Sequence, residues 1–277
     1  MREFYTLSER WCDTVPDFIS LTERSPALFR ILRLLSGTVV LEVDWENKVT
    51  LVQTNYLNGT HVENQQGVDS FLNVVFEDGL PNSDDLVSIS RGINKGNRSF
   101  YSELLTDVML LLLAVENNKN TESFLLIYRL LEKISVALPL IFSSKEKNFQ
   151  DVNKFFVSMV PKAGEVFDLK ILERFLSQHE QESSSFKMSK VEFDISAPEE
   201  GLVKSIISQI ELCVAGQVAG MEIDKERSKI IVPYSSVSMF IVNLRNRCFH
   251  NQPSRKNFDL SAVGGTEIFF PVLSVKC

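Results

Sequence analysis

Tyr101-Ser-Glu-Leu-Leu-Thr-Asp-Val-Met-Leu-Leu-Leu-Leu-Ala-Val115 is the stretch on which the fold class turns. Tyr101, Leu104, Leu105, Val108, Leu111, Leu112 and Val115 recur at the three- and four-residue steps of one helix face. Met109, Leu110 and Leu113 add apolar surface on the other sides. A helix of this composition has to be almost surrounded by protein. Its strongest apolar run, Val108 to Val115, is eight residues long, far short of the roughly 20 that cross a bilayer, which predicts a buried helix and no membrane span. Asn117-Asn-Lys-Asn-Thr121 then breaks the period. Thr121 or Asn120 can cap a second helix running through Phe124, Ile127, Tyr128, Leu131 and Ile134 to the region of Pro139. The pair reads as an antiparallel helical hairpin.

Upstream, residues 1–96 read as a mixed α+β module. A helix is predicted around Ala27 to Leu35. Thr38-Val-Val-Leu-Glu-Val-Asp44 and Lys48-Val-Thr-Leu-Val-Gln-Thr-Asn-Tyr56 alternate and are rich in β-branched residues, which makes them a hairpin about Trp45. The Gly-, Asn- and Asp-rich tract from Gly79 to Asn97 closes the module as loop. No glycine-rich phosphate loop follows either strand, which argues against a nucleotide-triphosphate enzyme.

Downstream, residues 97–277 read as a helical domain. Helices are predicted at 148–160, 168–179 and 198–214, and β material near 187–233: strands at 191–195, 218–223 and 229–233, the last two flanking the charged turn at 224–228. This β material reads as an insertion or edge sheet, and Glu267 to Leu273 as a terminal strand. The fold class is therefore predominantly α with smaller β elements.

Composition excludes several functions. At net charge −7 the chain does not coat nucleic acid non-specifically. Cys12, Cys213, Cys248 and Cys277 form no CxxC pair and have no histidine cluster near them, so neither a zinc site nor a disulfide framework is indicated. A reducing cytoplasm fits, with no metal and no cofactor. Charge is uneven all the same: between Glu226 and Asp259 there is no acidic residue, while Arg227, Lys229, Arg245, Arg247, Arg255 and Lys256 all lie there. Such a zone could bind a short, specific piece of RNA. Arg255 and Lys256 serve equally well as cations at the end of a helix dipole.

Inside that zone stands Phe240-Ile-Val-Asn-Leu-Arg245-Asn246-Arg247-Cys248-Phe249-His250-Asn251. On a helical wheel Val237, Phe240, Ile241, Leu244 and Cys248 form one apolar stripe. Arg245, Asn246, Phe249 and His250 fall on the opposite or flanking face. The segment resembles the signature of the HEPN superfamily, in which an arginine, a polar residue that is often Asn, and a following histidine mark metal-independent ribonucleases; the matching residues are Arg245, Asn246 and His250. A second Arg-x4-His, Arg174 to His179, has Phe175 after its arginine. The stripe Leu169, Leu172, Phe175 and Leu176 puts its two polar members on different sides, so it reads as a decoy.

The resemblance implies a helical bundle, a homodimer with facing motif helices, and RNA cleavage by 2′-OH attack, tRNA and mRNA both being plausible substrates. Imidazole suits the proton transfer near pH 7, and a guanidinium suits the charge that builds on phosphorus. His250 and Arg245 are then catalytic, and Asn246 orients the phosphate or the histidine. Arg247, Arg255 and Lys256 contact substrate, and Phe249 is the apolar contact of the dimer. Tyr128 and Glu132 on the second long helix are positions that would face the arginine; for Glu132 a surface pairing with Arg129 is the ordinary alternative. Arg245 and His250 lie about 140° apart around a helix, so arginine's length or a second protomer has to bring them together. Arg247 is the internal rival to Arg245. Members of the family serve as toxins or antiviral-defence effectors, with a neutralising or sensor partner, and others are catalytically silent interaction modules. A small-molecule enzyme with its site in residues 1–95 is a third class.

Overall fold

The computed structural model describes residues 5–9, 20–22, 24–43, 49–52, 91–144, 148–160, 167–182, 190–195, 197, 199–249, 257–265 and 273–276. Among them the chain is mostly helical with two small antiparallel sheets, an α+β protein. It forms two compact units, Met1–Asn117 and Asn118–Cys277. The division thus falls inside the break between the two long helices and not at residue 96.

In the first unit, helix α1 (Ala27–Leu35) buries Phe29, Ile31 and Leu34 and ends where Gly37 turns to φ 69°. Strands β1 (Tyr5–Glu9), β2 (Val39–Val43) and β3 (Val49–Val52) make a sheet in the order β1-β2-β3. Leu41 stands opposite Leu51 and Leu7. The β2–β3 hairpin sits where alternation places it; its connection lies outside the described residues, and β1 was not anticipated. Residues 91–96, read as loop from their Gly and Asn content, are helical. Hydrogen bonds from Asn97 N to Asn94 O and from Tyr101 N to Asn97 O carry that turn into helix α2 (Arg98–Glu116), and a neighbouring helix lowers the cost of extending one more turn. Helix α2 buries Tyr101, Leu105, Val108, Met109 and Leu112 against α1 and β3, which is why it belongs to this unit. Its burial is less complete than its composition suggests, since Val115 is 51% exposed.

The second unit begins with helix α3 (Asn120–Ser143). Neither Thr121 nor Asn120 caps it: Lys119 is the N-cap without a side-chain cap bond, Asn118 takes φ 54°, and the Asn120 side chain donates to the Asn118 carbonyl at 3.0 Å. The helix also runs a full turn past Pro139. Packing holds that last turn, because the Phe142 ring meets Phe155 and Phe175 at 5.4 and 5.6 Å. Helix α4 (Phe149–Met159) starts on Asn148, whose side-chain oxygen accepts from Gln150 N at 3.0 Å. Helix α5 (Phe167–Glu182) buries Leu169, Leu172 and Phe175 of the stripe expected of it, with Ile171 buried beside them and Leu176 half-buried.

Strands β4 (Lys190–Ile195), β5 (Glu222–Asp224), β6 (Lys229–Pro233) and β7 (Leu273–Lys276) form one antiparallel sheet in the order β5-β6-β4-β7. Phe193 stands opposite Ile230 and Val191 opposite Val232, and these apolar side chains lie on one face. Against that face pack Ile206, Ile207 and Ile210 of helix α6 (Glu200–Cys213) and Phe240 and Leu244 of helix α7 (Val237–Phe249). The sheet is therefore more than an edge. It is one wall of a core shared with α6 and α7, and the reason is the alternation of β4 and β6, which offers a complete apolar face only when the two pair.

One strand boundary moves as well: residues 218–221 lie outside the strand, leaving β5 only three residues, while residues 267–272 of the expected terminal strand lie outside the described residues. Gly220 has φ 70°, and a Cβ there would stand 2.9 Å from Pro233 Cγ. Gly220→Ala should thus cost about 1–3 kcal/mol, since a left-handed backbone and a contact with a rigid ring add. Urea denaturation of the variant measures this, and an unchanged midpoint would remove the constraint.

Candidate functional site

Helix α7 follows β6 through one short 3-10 turn, Tyr234–Ser236, anchored by a hydrogen bond from Ser236 Oγ to the Ala219 carbonyl at 2.9 Å. It packs on α3, α5 and β6. Its buried set is Ser238, Phe240, Val242, Asn243, Leu244 and Arg247, which surrounds most of the helix. The expected stripe is present in Phe240 and Leu244, but its continuation at the C-terminal end is Arg247 as much as Cys248. Arg247 was expected to reach out to substrate; its side chain is only 5% exposed. Phe240, Leu244 and Arg247 follow the four- and three-residue steps of one face, so packing the first two on the sheet carries the third inward.

Arg245 lies half-buried on another side. Its guanidinium carbon stands 4.6 Å from the centre of the Tyr128 ring of α3, and its Nη1 donates to Asn246 Oδ1 at 3.1 Å. A cation over an aromatic face is attracted by the ring's quadrupole, by about 0.5–2 kcal/mol depending on desolvation. Tyr128 thus meets Arg245, while Glu132, one turn further along α3, is exposed. Phe249 at the helix end is 38% exposed. His250, Arg255 and Lys256 lie outside the described residues. Of the second Arg-x4-His copy, Arg174 Nη1 donates to the Val160 carbonyl, closing the end of α4, and the His179 side chain lies outside the described residues.

Two members of the basic zone read along the sequence, Arg227 and Lys229, lie beside carboxylates. Lys229 of β6 stands opposite Asp194 of β4, and its ammonium is bonded to Glu192 and lies 3.7 Å from Asp194. The bond to Glu192 holds that ammonium above the ordinary lysine value. Arg227 Nε is 3.8 Å from Asp224 in the turn between β5 and β6. Carboxylates more than thirty residues away pair with Lys229, and a local one lies beside Arg227. Cys248 offers no nucleophile either: burial, with Cys213 nearby, pushes its thiol up to about 12.

Among the described residues, no group of three His, Cys, Asp or Glu could hold a metal ion, and no helix is long and apolar enough to cross a membrane. A groove of about 750 Å³ between α4 and α5, bordered by Asp151, Lys154, Glu173 and Arg174, contains no residue of the motif helix. No family model, no curated protein and no solved structure matches the chain.

Proposed function

We propose that the protein is a cytoplasmic binding module that works as a homodimer, and that its motif helix builds the fold instead of cutting RNA. The observation that carries this reading is the exposed stripe of α3. Leu125, Arg129, Glu132, Val136 and Leu140 are all exposed and fall within about 80° of the helix circumference. The stripe is complementary to itself. About a two-fold axis midway between positions 130 and 131, an antiparallel second copy sets Leu125 against Val136 and Arg129 against Glu132, and each contact occurs twice. Leu140 and Ile141, 51% and 40% exposed, extend the apolar part. The charges on the stripe cancel, so two copies of a chain of net charge −7 can approach there without local repulsion. Sedimentation of the full chain should show dimer at micromolar concentration; monomer throughout would reject the reading.

A second reading is the metal-independent endoribonuclease of HEPN type. In it α3, α5 and α7 are the bundle, Arg245 and His250 are catalytic, and Phe249 joins two protomers. What favours it is Arg245 itself, held over Tyr128 and braced by Asn246 at the end of the helix that leads to His250. Incubating the protein with total RNA or tRNA in EDTA separates the two. The binding-module reading expects intact RNA, with Arg245→Ala lowering stability by about 1–2 kcal/mol through the lost ring contact. Cleavage that disappears in both Arg245→Ala and His250→Ala would establish the nuclease.

A further inference from the structure

We infer that Arg247 is the cationic centre of a binding site for a phosphate-class oxyanion at the C-terminal end of α7. The inference does not depend on the dimer or on RNA cleavage, although the family resemblance also gives Arg247 a contact to substrate. Arg247 is 95% buried by its 5% exposure, and its Nε is sealed from solvent without a hydrogen-bond partner. No carboxylate among the described residues forms an ion pair with it. A guanidinium does not shed its proton in a protein, so its buried charge has to be met by an anion or by water.

The chain itself provides the contrast. Arg33, also deeply buried, directs Nε to Thr38 Oγ1 at 2.8 Å and an Nη to the Thr38 carbonyl at 3.4 Å, while Ser36 Oγ donates to the Arg33 carbonyl at 2.8 Å. A guanidinium with a purely structural role is satisfied from within. Among the described residues no such partner meets Arg247 Nε. Asn243, one turn earlier and also buried, gives its amide hydrogen to the Met239 carbonyl at 2.8 Å and carries no charge. Cys248 beside it is a neutral thiol at physiological pH. Asp259, the next acid along the chain, accepts from Ser261 Oγ, Ser261 N and Ala262 N, which turn its carboxylate toward its own loop. A planar fork of donors that no carboxylate among the described residues engages matches the paired oxygens of a phosphate group. Chloride, a point acceptor, matches it less well.

Thermal unfolding of the full chain in sodium phosphate, in AMP and in sodium chloride at equal ionic strength tests the site. Wild type should gain roughly 5 °C or more in phosphate or AMP when the anion is at a hundred times its dissociation constant, and chloride should not reproduce the gain. A gain with phosphate alone identifies the free anion as ligand, and a gain with AMP alone identifies a phosphate ester. Arg247→Met should remove the gain and should unfold in chloride no lower than wild type, because it deletes an uncompensated buried charge. Arg247→Gln, which keeps a donor, serves if the Met variant does not fold. No gain in wild type beyond chloride, or a gain that survives either variant, overturns the inference. So does a fall in Tm of Arg247→Met in chloride, which would make Arg247 a structural partner of the helix end.

Discussion

Val136→Glu should convert the dimer to monomer at every micromolar concentration, and the charge pairs beside it should behave as a swappable code. A glutamate at 136 would bury two like charges per dimer against the partner's Leu125, with no cation placed to receive them. The single variants Arg129→Glu and Glu132→Arg each turn two attractive contacts into two repulsive ones. Either should weaken association about tenfold or more, while the double variant restores both contacts in reversed polarity. Equilibrium sedimentation of the four proteins measures this directly. Restoration in the double variant is the informative result, because general damage to α3 would accumulate and not cancel. If the double variant is weaker than either single one, the antiparallel register is wrong. If Val136→Glu stays dimeric, α3 is not the interface.

Charge reversal on an exposed helix is expected to leave the fold alone, and this is why self-complementarity was hard to see in the sequence. Leu125, Arg129, Glu132 and Val136 sit in a segment where Phe124, Ile127, Tyr128, Leu131 and Ile134 supply a stronger apolar period. That period predicts a helix and its buried side, and it says nothing of what the other side meets. The helices themselves were legible: α1 and α2 fall within a residue of the positions set by periodicity, and β6 occupies the run set by alternation. What was not legible is the role of the sheet. Strands β4, β6 and β7 pair across dozens of residues, and only their pairing produces the face that α6 and α7 cover.

The same long-range pairing changes the reading of one member of the basic zone. Lys229 is neutralised by Glu192 and Asp194, more than thirty residues earlier, through the register that sets Asp194 opposite Lys229. Arg247 is a different case. As a cation three positions before His250 it is expected to contact substrate, and on the wheel it also continues the Phe240–Leu244 stripe. Helical geometry placed it inside, and the sequence offers no carboxylate between Glu226 and Asp259 to meet it there. A stripe position occupied by arginine is therefore a signal in its own right: either a partner comes from elsewhere in the fold, or a ligand is expected.

Phe240→Ala should be the most damaging core substitution on the motif helix, lowering stability by about 3–5 kcal/mol. The ring is 1% exposed and packs tilted against Phe193 of β4 at 4.9 Å between centroids, so its removal leaves a cavity between α7 and the sheet and deletes an aromatic pair as well. Because Phe240, Leu244 and Arg247 share one face, the same contact sets the rotation of α7 that holds Arg247 inward and points Arg245 toward Tyr128. Phe240→Leu keeps most of the volume and should cost less than about 1.5 kcal/mol. Urea unfolding at two wavelengths measures both, and the phosphate-dependent gain in Tm reports on the helix end in the same samples. The expected order is a large loss for Ala, with the phosphate gain reduced, and a small loss for Leu, with that gain retained. Equal losses for Ala and Leu would show that shape, and not burial, fixes the helix on the sheet. An Ala variant as stable as wild type would mean that the sheet is not the wall against which α7 is held.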